Sequence, residues 1–85
     1  MVVTSSVLEM APGARVAEPH RHGAELFGYI LEGAVLTGLD NGPIQRYGQG
    51  EMFYERRGIL HSHFENASSD TPARLLIVTI AKPSP

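Results

Sequence analysis

The placement of glycine constrains this chain more than any other feature. The nine glycines fall at positions 13, 23, 28, 33, 38, 42, 48, 50 and 58. A glycine inside a helix costs about 1 kcal/mol relative to alanine, so no helix of comfortable length fits between residues 13 and 58. The runs between glycines are short and rich in β-branched and aromatic residues, which is strand composition. Val2–Met10 and Arg15–Glu18 read as strands around a Pro12-Gly13 turn, the second stopped by Pro19. Glu25–Glu32 and Ala34–Leu39 follow on either side of Gly33. Asp40-Asn41-Gly42-Pro43 carries the Asn-Gly signal of a tight hairpin. Ile44–Tyr47 and Glu51–Glu55 flank Gly48-Gln49-Gly50, Asn66–Pro72 reads as a polar loop, and Ala73–Ala81 is the strongest strand. Seven or eight strands without a helix predict an all-β sandwich or barrel.

The chain has 85 residues, within the range of a single domain over 1–85, with residues 82–85 as a tail. A monomer of this size buries roughly 63% of its unfolded surface, enough for one small core. There is no cysteine, which removes disulfides, thiolate metal ligands and a cysteine nucleophile. A metal ion or a subunit interface is therefore the expected extra source of stability. A homodimer is expected, with Val2–Met10 and the apolar C-terminal strand as the candidate interface. The seven basic residues, six arginines and Lys82, are scattered against nine acids, so no basic face for nucleic acid is expected. The longest apolar run, Leu75–Ala81, is too short to span a bilayer. The first ten residues, MVVTSSVLEM, show no signal-peptide pattern. A soluble, cytoplasmic protein without membrane partners is the expectation.

All four histidines occur as two His-x-His pairs, His20/His22 and His61/His63. On a strand, residues i and i+2 project from the same face. Each pair thus offers two imidazoles on one surface, and two such strands meeting in a barrel can converge on one ion. Imidazole suits zinc, copper, iron or nickel. The competing reading is that surface strands simply carry polar histidines.

The flanking residues extend both pairs. PGARVAEPHRHGAELFGYILEG, residues 12–33, and GEMFYERRGILHSHFEN, residues 50–66, together resemble the two motifs of the cupin superfamily. In the first motif, over about 13–33, Gly13, His20, His22 and Gly33 match, with one extra residue between Gly13 and His20. In the second, over about 50–66, Gly50, Gly58, His61 and Asn66 match, with Arg56 where the motif has proline. The resemblance spans about Met10 to Ala81. It implies a small jelly-roll β-barrel with one divalent transition metal (Fe, Mn, Ni, Cu or Zn) at one end, held by His20, His22 and His61.

The resemblance also implies a glutamate ligand separated from Gly33 by six intervening residues, but that slot holds Leu26. Strand parity puts Leu26, Gly28 and Ile30 on the face of His20 and His22, and turns Glu25, Phe27 and Tyr29 away. Glu25 reaches the metal only through a bulge near Gly23-Ala24, so a three-histidine site is favoured. Parity also puts His63 on the His61 face, as a fourth ligand, a proton shuttle or hydrogen-bonded filler. Glu18 and Glu55 are candidates to orient imidazoles, or are plain solvent-facing acids. Tyr54 and Phe64 are candidates for the pocket wall or for core packing. Arg56-Arg57 can draw an anion to the barrel mouth, or be solvated like most surface charges.

Three neutral imidazoles leave the full charge on a divalent ion, which favours small, oxygen-rich, chelating anions and Lewis-acid or oxygen-binding chemistry. The expected function is a metal-binding cupin acting on such a molecule in a dioxygenase- or isomerase-like way. The alternative is a non-catalytic ligand-binding or sensor barrel. A third possibility is a metal-free barrel whose histidines line a pocket.

Overall fold

The computed structural model describes residues 1–16 and 18–82; Ala17 and the last three residues of the expected tail lie outside the described residues. Eight strands follow in chain order: β1 (Val2–Met10), β2 (His20–Arg21), β3 (Glu25–Glu32), β4 (Ala34–Leu39), β5 (Gln45–Gly48), β6 (Met52–Glu55), β7 (Leu60–Asn66) and β8 (Ala73–Ala81). They form two antiparallel four-stranded sheets, ordered β1-β8-β3-β6 and β2-β7-β4-β5. The chain crosses repeatedly between the sheets, giving a jelly-roll-like all-β fold with no helix among the described residues. Among the described residues no helix is long and apolar enough to cross a membrane.

The inner faces of the sheets meet in a core of Met10, Leu26, Ile30, Val35, Phe53, Phe64, Ala73 and Leu75. On β3 the alternation is clean: Leu26, Gly28 and Ile30 are buried and Tyr29 is exposed. β6 alternates the same way, with Phe53 and Glu55 buried and Met52 and Tyr54 exposed. Gly28 is required by packing, because a Cβ there would lie 2.3 Å from the Phe53 ring. Gly33 is required by backbone: its φ is +80° at the β3–β4 turn, and a Cβ would come within 2.9 Å of the Pro72 carbonyl.

Three local expectations are corrected. Of the strand expected over Arg15–Glu18, Ala17 lies outside the described residues; among the described ones Arg15 pairs with Glu65 in a single bridge, and the next named strand starts at His20. The hairpin signal is displaced by one residue. Asp40 and Asn41 take the positive φ angles, 51° and 57°, and the Gly42 N–H donates to the Leu39 carbonyl at 2.8 Å, which are features of a type I′ turn. Asp and Asn tolerate that region because their short side chains find local partners. Here one Asp40 carboxylate oxygen accepts from the Leu60 N–H at 3.3 Å. The third correction concerns β7. Its register against β4 runs Gly38↔His63 and then Leu39↔His61, leaving Ser62 as an extra residue. A bulge adds one residue to one strand and so reverses side-chain parity beyond it. The burial along Leu60–Asn66 shows that reversal, with His61, Phe64 and Asn66 buried.

Candidate metal centre

His20 and His22 sit at the short edge strand β2 and just beyond it, and His61 lies directly across from His20 on β7. Directly opposed residues in an antiparallel pair share a face, so one register pairing brings the two motifs together. One ring nitrogen from each of His20, His22 and His61 lies within 4.8 Å of the others. The Nε2 atoms of His20 and His22 are 3.1 Å apart.

Outer hydrogen bonds aim two of these rings. His20 Nδ1 lies 3.4 Å from the backbone carbonyl of Glu18, so Glu18 acts through its main chain while its side chain is exposed. His61 Nε2 is 2.7 Å from the Thr37 hydroxyl inside the core, which leaves His61 Nδ1 buried without a hydrogen-bond partner. Burial, followed by the neighbouring His20 and His22, pushes His61 down to about 4. Burial, and then His20, also lowers His22. Both are therefore held in the neutral form that ligates metals.

Glu55 is the fourth polar group in this cluster. It is 1% exposed, and its Oε1 lies 3.6 Å from His22 Nε2 and 3.5 Å from His61 Nδ1. Neither carboxylate oxygen has a hydrogen-bond partner among the described residues, and burial pushes the acid up to about 7. The remaining candidates lie elsewhere. Glu25 faces away from the cluster, where its Oε2 accepts from the half-exposed Tyr54 hydroxyl at 2.8 Å. No bulge occurs at Gly23-Ala24; the irregularity in β3 falls at Leu31, past the site. The Ser62 bulge takes His63 off the His61 face, and its Nε2 pairs with Glu65 Oε1 at 2.8 Å. Arg56 lies 3.5 Å from Asp40, and both are exposed.

The cluster lines a cavity of about 270 Å³, whose apolar walls are Leu8, Val16, Leu26, Phe53, Phe64 and Ile77. Leu26 therefore faces the cavity from the position where the motif has an acid, and the Phe64 ring lies tilted against His61 with the ring centres 4.9 Å apart. Tyr54, Arg56 and Arg57 are not among the lining residues. Sequence reasoning passed over Thr37 and the wall residues of β1, Ser6 and Leu8. Thr37 carried a signal: it is the one hydroxyl in the otherwise apolar run AVLTGL.

The family model for the cupin domain matches residues 6–79 of the chain. The chain belongs to the cupin family. Solved structures agree at the level of fold. A DMSP lyase, DddQ from Ruegeria pomeroyi, superposes with a TM-score of 0.80 at 23% identity, over 98% of this cupin and 40% of that chain. An oxalate oxidase gives 0.79 at 24% identity, over 93% of this cupin and 42% of that chain. An RmlC-like cupin from Methanocaldococcus jannaschii gives 0.81 at 16% identity, over 93% and 70% respectively. This cupin thus spans well under half the length of the first two. No curated protein matches it in sequence. The three-histidine group can hold a metal ion, and the buried nitrogen and carboxylate oxygens left without partners beside it are what a cation would satisfy.

Proposed function

We propose that this cupin binds one divalent transition metal (Fe, Mn, Ni, Cu or Zn) through His20, His22 and His61 and uses it to act on a small oxygen-rich anion. The supporting observation is the convergence of three imidazoles, His61 and His22 held neutral by burial, in the lining of a mostly apolar cavity. The bound ion would supply Lewis acidity and charge stabilisation to a chelating oxygen pair. The chain's own residues do the rest. Thr37 and the Glu18 carbonyl orient two of the rings. Leu26, Phe53 and Phe64 give the cavity an apolar wall against which the rest of a ligand would pack. No arginine or lysine lines that cavity, so an anionic head group would be held by the centre itself while a short apolar remainder packs against the walls. The reaction we propose is dioxygenase- or isomerase-like turnover. In the same reading residues 1–85 are one domain that works as a cytoplasmic homodimer.

A second reading, a non-catalytic ligand-binding or sensor barrel, is favoured by one feature. Beyond the three histidines, Glu55 and Ser6 are the remaining polar side chains lining the cavity among the described residues, so few of these groups are left for proton transfer. One comparison separates the two. Metal-loaded protein is incubated with hydroxy-acid and diketone anions under air while oxygen uptake, product and thermal shift are followed. An enzyme gives product that is lost in a folded His61→Ala variant. A binder gives a thermal shift without product.

A further inference from the structure

We propose that Glu55 is the fourth protein ligand of this centre, supplying from β6 the carboxylate that position 26 on β3 does not. The proposal rests on the metal-binding reading above and adds a ligand to it. Leu26 and Glu55 are direct partners in the β3–β6 pairing, so their side chains leave the same face with Cβ atoms about 5 Å apart. Moving an acid from 26 to 55 shifts it by one rung sideways and keeps it in the cavity that both residues line.

The surroundings of Glu55 explain nothing else about it. Burying a carboxylate is costly unless it is paired or hydrogen-bonded. This one is buried, and among the described residues both its oxygens are unpartnered and no arginine or lysine lines its cavity. Its Oε1 is nearly equidistant from His22 Nε2 and His61 Nδ1, at 3.6 and 3.5 Å. With Thr37 occupying His61 Nε2, the unpartnered Nδ1 faces the unpartnered carboxylate. Two buried groups with free lone pairs, facing one another beside two further imidazoles, make a place for a cation. A carboxylate in the set would cancel half the charge of a divalent ion and leave a weaker pull on anions than three histidines alone. Hard ions such as manganese and iron gain relative to copper when an oxygen donor joins three nitrogens.

The test uses Co2+ as the probe on chelator-treated full-length protein. Wild type and Glu55→Gln are titrated while the visible absorption of the ion and the binding heat are recorded. Wild type is expected to bind one Co2+ per chain. Glu55→Gln is expected to bind it at least about tenfold more weakly, with a changed visible spectrum. Metal-free Glu55→Gln is expected to melt no lower than wild type, because glutamine removes a buried charge while keeping the shape; a merely structural acid would lower it. A readout on wild type alone guards against a variant that does not fold. Infrared difference spectra, Co2+-bound minus metal-free, should carry a ligated-carboxylate band. A Glu55→Gln protein with wild-type affinity and spectrum, or wild type without that band, overturns the assignment of Glu55 and leaves the histidine centre standing. Wild type that binds no Co2+ overturns both.

Discussion

Glu55 and His61 are displaced from their ordinary protonation behaviour in opposite directions chiefly by one cause, burial beside each other in the same cavity lining. The signs give a pH signature for the metal-free protein. Glu55, raised from 4.5 to about 7, contributes stability that is complete below pH 4.5 and is lost as the pH rises to about 7. His61, lowered from 6.5 to about 4, contributes stability present above pH 6.5 and lost as the pH falls to about 4. The two overlap between pH 4.5 and 6.5, so a difference measurement isolates the acid. The stability of Glu55→Gln relative to wild type, from urea melts in chelator, should grow from near zero at pH 4.5 to about 2 kcal/mol above pH 7. A difference that does not change with pH contradicts the burial of a chargeable acid there. Among the site residues His20, His22 and His61 were legible in the sequence, from their spacing and the motifs around them. Glu25 does turn outward, but parity counted from His20 and His22 does not decide it, because β2 and β3 lie in different sheets; the pairing of β3 with β6 and β8 sets its face. Glu55 was visible as the one acid in the alternating run MFYE. Its place beside Leu26 depends on which strand pairs with β3, and no local pattern states that.

Element by element, the strands were legible and their irregularities were not. Glycine spacing and β-branched runs locate most strands to within a residue or two. The Ser62 bulge depends on how β7 must bend between β2 and β4, which is a tertiary demand, so the expected face of His63 was inverted. The displaced hairpin has the same origin. Asp40-Asn41 fits the turn as well as Asn41-Gly42 does, and the anchoring of Asp40 by the Leu60 N–H decides between them. Asn66, the last residue of the second motif, has its role at this scale. Its Nδ2 donates to the carbonyls of Met10, Ala11 and Thr71 at 3.3, 3.1 and 2.8 Å, and its Oδ1 accepts from the Ser68 N–H at 2.9 Å. One buried side chain therefore ties the end of β1 and the loop before β8 to the end of β7. Asn66→Ala is expected to destabilise the fold by about 3 kcal/mol in denaturant melts while leaving one metal site per chain. A variant as stable as wild type, or one that loses metal without losing stability, contradicts this structural role.

At the scale of the whole molecule, the open side of the structure is β1. It forms the outer edge of its sheet and is exposed along its length up to Met10. Val3 and Val7 are more than half exposed, at 57% and 53%. An unprotected apolar edge strand invites pairing with another chain, and two copies meeting along β1 would cover it. Light scattering coupled to gel filtration should give a dimer for wild type and a monomer for the Val3→Lys/Val7→Lys variant; a monomeric wild type contradicts the homodimer. Because Ser6 and Leu8 of the same strand line the cavity, that interface would also stiffen one wall of the site. All of this presupposes a metal centre, and elemental analysis tests it most directly. Untagged protein purified without chelator should carry about one equivalent of a divalent transition metal per chain, reduced below a tenth in His20→Ala/His61→Ala. Protein that holds no metal, and whose melting temperature does not move when any of these ions is added, contradicts the centre.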